Sequence, residues 1–268
     1  MAITIIFGPP GAGKTLLLVH VLNTFAFDNK RFLDMRKEIL RKNLNGFNLT
    51  LPNSVCASNF DISFKKFGYR SRKPNRINPY RLGFANERVK THFTIPHWVI
   101  GITEAQKYLN SRLSRYDPAW QSRWYEQHRH NDLTILLDVQ RPNLIDVNIR
   151  ELSNFVEIMN LEIIKNKHGV IQKITWTVNV IDSAPEFEKY MSSGKKECFR
   201  SEKIIADYNV FKLYDSQSCK PLFYQDHFSE DFDTKCTVET EESLQGYIDY
   251  LKNNDEELPQ DFYTKGGL

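Results

Sequence analysis

The stretch that most constrains this chain is IIFGPPGAGKTLLLVHV, residues 5–21. Gly8, Gly13, Lys14 and Thr15 satisfy the pattern G-x-x-x-x-G-K-[ST] of a phosphate-binding loop. Its flanks agree. Ala2–Phe7 is an apolar, β-branched run that reads as a strand, and Thr15–Asn23 reads as a helix carrying Leu16, Leu17 and Val19. Glycines let the backbone pass close to an anion, and successive N–H groups at the helix start point at it. The expected nucleotide-binding residues are Gly8, Pro9, Pro10, Gly11, Ala12, Gly13, Lys14 and Thr15. Lys14 should reach the β- and γ-phosphates of ATP, and the Thr15 hydroxyl should sit on Mg²⁺.

Two further strands carry candidate chemistry. Trp98–Ile102 in HWVIGITEAQKYLNSR (97–112) has a buried-strand pattern, with Glu104 just past its end and a helix expected over Ala105–Arg112. A carboxylate placed like Glu104 can polarise the attacking water in P-loop enzymes that carry an extra strand. The usual acid on the Mg²⁺ side would stand at position 103, where this chain has a threonine. A hydroxyl can bond a metal-bound water but brings no charge. Leu133–Val139 is the other continuous apolar run, and Gln140 at its end can sense a γ-phosphate. Arg129, just before that run, is a candidate finger for a neighbouring subunit's nucleotide, with Arg123 and Arg150 as rivals. His128 and His130 flank it without a third ligand in metal-binding spacing.

Charge is unevenly distributed. Residues 1–160 hold 23 Lys and Arg against 13 Asp and Glu, whereas residues 161–268 hold 13 against 20. A polyanion near the first half would suit this asymmetry. Within residues 62–92 the only acid is Glu87, among nine basic residues interleaved with Phe64, Phe67, Tyr69, Tyr80 and Phe84. Lys65, Lys66, Arg70, Arg72, Lys73 and Arg76 are the candidate DNA-binding residues of this loop insertion.

The organisation expected is a P-loop core over 1–160, a β-containing part over 161–252 and a mobile tail over 253–268. Phe155–Lys165 and Val170–Asp182 read as a hairpin joined by NKHG, and Glu239–Lys252 as an amphipathic helix. The four cysteines are scattered and no secretory leader precedes the loop, so a reducing cytoplasm is expected. No run is long and apolar enough to span a bilayer.

Together these landmarks resemble the zonular occludens toxin (Zot) family of phage ATPases, within the wider class of DNA-pumping motors. The matching pieces are GPPGAGKT, VCASNF, VIGITEAQKYLNSR, EQHRHNDLTILLDVQ, NLIDVNIREL and DYNVFKLYDS, in the family's order over roughly residues 1–216. The resemblance implies a RecA-like α/β core, a mostly parallel sheet flanked by helices with a small β-containing C-terminal part. It also implies a homo-oligomeric ring, a pentamer or hexamer, hydrolysing ATP to handle phage DNA, double- or single-stranded. By motif match it supports Lys14 and Thr15 as the nucleotide site, Glu104 as catalytic and Gln140 as sensor. Filamentous-phage members carry a membrane span after the ATPase domain and this chain shows none. The expectation therefore moves to a packaging motor in the host cytoplasm, meeting phage portal, capsid or assembly proteins. Alternatives are an extrusion ATPase working with membrane partners and a nucleotide-gated scaffold with little hydrolysis, the latter favoured by Thr103.

Overall fold

A computed structural model describes residues 2–44, 52, 54–67, 69–77, 79, 82, 96–111, 124–193 and 198–214. Among these residues, eight strands form one sheet in the order β3-β2-β4-β5-β1-β6-β7-β8. The strands are β1 Ile3–Phe7, β2 Cys56–Ser58, β3 Asn75–Arg76, β4 Val99–Ile102, β5 Thr134–Asp138, β6 Ser153–Lys165, β7 Ile171–Ile181 and β8 Arg200–Asp207. The helices are α1 Lys14–Phe25, α2 Asn29–Leu44, α3 Val147–Glu151 and α4 Ala184–Ser193. The first six strands pair in parallel, and β6–β7–β8 pair antiparallel.

Parallel strands need cover on both faces, so their sequences run continuously apolar. Every residue of VIGI in β4 is buried, as are the last four of TILLD in β5. α1 lies against this surface with Leu16, Leu17, Leu18, Val19 and Leu22 buried. Gly101 in β4 permits the approach: a Cβ there would stand 2.5 Å from Leu22 Cδ1. On the other flank, the Phe187 ring of α4 stacks on Phe155 at 4.1 Å and meets Phe7 edge-on at 5.7 Å.

The P-loop core and mostly parallel sheet match the fold expected from the sequence. Residue 160, where the core was expected to end, lies inside β6, and β7 and β8 continue the same sheet. The β6–β7 hairpin is present, turning through Asn166–Gly169 with Gly169 at φ 76°. β6 is buried at Ser153, Phe155 and Ile158 and mostly exposed beyond, with Leu161 still half-buried against the core. The expected helix at 105–112 is replaced by a short 3₁₀ turn, Ala105–Lys107. The backbone beyond it is drawn to another partner: Asn110 bridges Ile145, Asp146 N donates to Leu109 O, and Ser111 N donates to Leu144 O. Tyr108 and Leu109 are buried all the same, which explains the helix-like spacing of apolar residues. Cys56 and Cys198 are buried thiols without disulfides. The expected helix at 239–252, the tail at 253–268, Cys219 and Cys236 lie outside the described residues, as do Tyr80, Arg81, Phe84, Glu87, Arg88, Lys90 and Arg123.

Candidate functional site

The loop between β1 and α1 rises from the C-terminal edge of the sheet. Gly13 has φ 78°, and a Cβ there would stand 2.9 Å from Leu161 Cδ2 and 3.1 Å from Trp176 Nε1. Only glycine fits both the left-handed backbone and the close approach of β6 and β7. Lys14 is 8% exposed, and its ammonium donates to the loop carbonyls Gly8 O and Pro9 O, each at 3.1 Å. The lysine is thereby held over the loop's own cradle.

Parallel pairing brings the ends of β4 and β5 to the same place. Ile6 of β1 pairs with Asp138 of β5, and Leu137 of β5 pairs with Ile102 of β4. Asp138, the last residue of β5, and Thr103, the first beyond β4, thus stand side by side at one level. Thr15 Oγ1 donates to Asp138 Oδ2 at 2.6 Å, and Thr103 Oγ1 donates to the same oxygen at 3.2 Å. Asp138 is 1% exposed, and its Oδ1 has no hydrogen-bond partner among the described residues. Burial pushes its carboxyl above the usual range. The Thr15 hydroxyl, the Lys14 charge and the Thr103 hydroxyl pull the other way.

Asn59, just past β2, fixes Thr103 from behind. Its side chain accepts from Thr103 N at 2.9 Å and donates to Thr103 O at 3.1 Å and to the Tyr108 hydroxyl at 3.3 Å. The next residue, Glu104, has φ 52°, a left-handed conformation that costs a non-glycine residue roughly 1–3 kcal/mol. Its carboxylate is half-buried and accepts from Gln106 Nε2 at 2.6 Å. Strain at this residue, pinned from β2, aims a carboxylate off the end of β4 beside Asp138, whose titration it influences.

Of the residues expected from the sequence, Lys14, Thr15 and Glu104 come together here. Gln140 is exposed two residues beyond Asp138. Arg129 is exposed in the 3₁₀ turn Gln127–Arg129 before β5, at the opposite end of the strand from the loop. It therefore stands away from this chain's own nucleotide loop. The basic segment is also remote, since Lys65 is tied through its backbone to Asn23 in the second half of α1. Lys65, Lys66, Arg70 and Lys73 are exposed. Arg72 is not: its guanidinium donates to Ala26 O at 2.7 Å, where α1 ends, and lies over Phe27 and Phe32. Of Arg76 only the backbone, in β3, is described.

The sequence reading passed over Asp138 and Asn59. A lone acid closing a continuous apolar strand was the available signal for the first. The donor set of Thr15 and Asp138 consists of hard oxygens, with one buried carboxylate oxygen unpartnered. That fits Mg²⁺, which binds through one or two protein oxygens and otherwise takes phosphate and water. No group of three or more His, Cys, Asp or Glu that could hold a metal occurs among the described residues. Likewise, no helix among them is long and apolar enough to cross a membrane.

A phosphate loop on β1, one strand between it and the strand that leads to Glu104, and helices on the sheet define a P-loop NTPase fold of the extra-strand type. The zonular occludens toxin (Zot) family model matches residues 2–220, and the chain belongs to that family. Among solved structures it is similar to the N-terminal domain of zonular occludens toxin from Neisseria meningitidis, at 21% identity and TM-score 0.47, over 80% of this chain and 100% of that one. It is also similar to the genome packaging NTPase B204 from Sulfolobus turreted icosahedral virus 2 in complex with sulfate, at 12% identity and TM-score 0.39, over 77% and 98%. The ATP-gammaS complex of the same NTPase matches at 11% identity and TM-score 0.34, over 69% and 93%. No curated protein matches.

Proposed function

We propose that this chain hydrolyses ATP to drive phage DNA handling, as a subunit of a homo-oligomeric genome-packaging motor in the host cytoplasm. The observation that carries this reading is the convergence of Lys14, Thr15, Asp138 and Glu104 at the C-terminal ends of β1, β5 and β4. Membership of the Zot family supports the phage setting.

In the reaction, Lys14 exchanges the carbonyls of Gly8 and Pro9 for phosphate oxygens. Thr15 and Asp138 face the metal side. Mg²⁺ supplies neutralisation of charge on the transferring phosphoryl group. Glu104 orients the attacking water and takes its proton. Gln140, exposed two residues beyond Asp138, reports the state of the γ-phosphate. Arg129, exposed at the far end of β5, completes the site of a neighbour in a ring. The exposed Lys65, Lys66, Arg70 and Lys73 grip phosphates. Arg72 is left out of this set because its head group is used internally.

The test is ATP hydrolysis by the purified chain, with and without DNA, at low and moderate salt. DNA should stimulate turnover, and stimulation should fade with salt. Lys14→Ala and Glu104→Gln should each remove it, the latter by roughly 10²–10⁴-fold with ATP still bound. Normal hydrolysis by Glu104→Gln would show the catalytic assignment to be wrong. ATP binding without turnover, even with DNA and the assembled oligomer, would select the scaffold reading. Membrane association that depends on a phage partner would select extrusion.

A further inference from the structure

We infer that Asp138 on β5, rather than any group on β4, is the acidic side of the metal–nucleotide site, and that Thr103 is its positioning residue. The inference rests on the nucleotide-binding reading above and adds the ligand set of that site.

Three observations carry it. First, sheet order makes β5 the direct neighbour of β1, so Asp138 lies across from Ile6 and one hydrogen bond from Thr15, the hydroxyl expected on the metal. Second, position 103, where the acid is ordinarily expected, holds a hydroxyl that donates to Asp138. Ile102 pairs with Leu137, so residues 103 and 138 are cross-strand neighbours. Two carboxylates there would face each other in a buried pocket, where like charges repel strongly. A threonine opposite an aspartate instead gives one charge with one donor. The two positions read as an exchange of roles between adjacent strands. Third, Asp138 Oδ1 is buried without a hydrogen-bond partner among the described residues. A buried acceptor left unmade is costly, and a cation held beside Thr15 would answer it. Asn59 locks Thr103 through both its backbone groups, so the hydroxyl that orients Asp138 is itself fixed.

The rival is a purely structural role, with Asp138 tying β5 to the start of α1. The two separate in the Mg²⁺ dependence of nucleotide affinity, measured by calorimetry with ATPγS on the full chain, with Mg²⁺ or with EDTA. Mg²⁺ should tighten binding to the wild type by roughly tenfold, within the usual range of coupling between ligands. Asp138→Asn should reduce that gain to about twofold or less while leaving the EDTA affinity in place. The double exchange Thr103→Asp with Asp138→Thr should restore it by moving the carboxylate across one strand pair. Mn²⁺ paramagnetic resonance in the presence of ATPγS should follow the same order. Circular dichroism and a thermal melt establish that each variant is folded, and the exchange decides if Asp138→Asn is not. A full Mg²⁺ gain in folded Asp138→Asn, or none in the folded exchange, overturns the inference. A wild type that binds ATPγS without any gain from Mg²⁺ overturns it alone. A wild type that binds no ATPγS overturns the nucleotide reading together with it.

Discussion

Arg72 carries a charge in the most basic stretch of the chain, yet the structure spends its head group inside the fold. Its guanidinium donates to Ala26 O at 2.7 Å and lies 5.1 Å from the Phe27 ring and 5.8 Å from that of Phe32. A hydrogen bond from a charged donor contributes roughly 1.5–3 kcal/mol. Each cation–π contact at a partly exposed site adds about 0.5–1 kcal/mol. These share one side chain and are not additive, so Arg72→Ala should cost about 2–4 kcal/mol. Arg72→Lys keeps the charge and much of the stem. A compact ammonium cannot both bond the carbonyl and spread over two rings, so about 1–2 kcal/mol should still be lost.

Urea unfolding gives the stabilities, with an unchanged m-value as the check on two-state behaviour. DNA affinity against salt gives the number of phosphate contacts, since each contact contributes about 0.9 to the log–log slope. Arg72→Lys should lower the unfolding midpoint and keep the DNA slope. Arg70→Ala, an exposed neighbour, should keep the midpoint and reduce the slope by about 0.9. The reasoning is refuted if Arg72→Lys unfolds like the wild type, or if Arg72→Ala loses slope with no change in midpoint.

Two further perturbations probe the fold beneath the site. Gly101→Ala should destabilise by about 1–3 kcal/mol, because Leu22 presents Cδ1 at 2.5 Å and both Cδ2 and Cγ at 3.3 Å to the new methyl, so no rotation of its end clears it. In a double-mutant cycle with Leu22→Ala, measured by urea unfolding, the pair should cost less than the sum of the singles, and strict additivity would mean the methyl is accommodated elsewhere. His128 is 1% exposed, bonds Tyr125 O through Nδ1 at 2.6 Å, and has Nε2 buried without a hydrogen-bond partner among the described residues. Burial, and then the charge of Arg129, push its pKa below the ordinary histidine value. The unfolded chain then takes up the proton more readily, so the stability held by neutral His128 is complete above about pH 6.5 and is lost as pH falls below it. Unfolding midpoints at pH 7.5 and 5.5 should differ less in His128→Asn than in the wild type; an equal difference would assign the acid sensitivity to other groups.

Much of the core could be read directly because its signals are local. The loop motif fixes Lys14 and Thr15, continuous apolar runs mark β4 and β5, and NKHG marks the hairpin turn whose Gly169 takes φ 76°. What escaped reading depends on partners far along the chain. In place of the helix expected at 105–112, a bridge from Asn110 to Ile145 holds the segment, with Ala105, Tyr108 and Leu109 buried. Arg72 shows its charge in the sequence but not the carbonyl 46 residues earlier that takes it. Asp138 and Thr15 are 123 residues apart, joined only because β5 inserts between β4 and β1. Judged strand by strand, the end of β4 lacks an acid and argues for a site without chemistry. Judged by register, residues 103 and 138 are one position shared by two strands, and the carboxylate missing from the first is present on the second. A motif scored along the chain therefore mistakes a relocation for a loss, and the sheet order that separates the two becomes legible only when the strands are placed side by side.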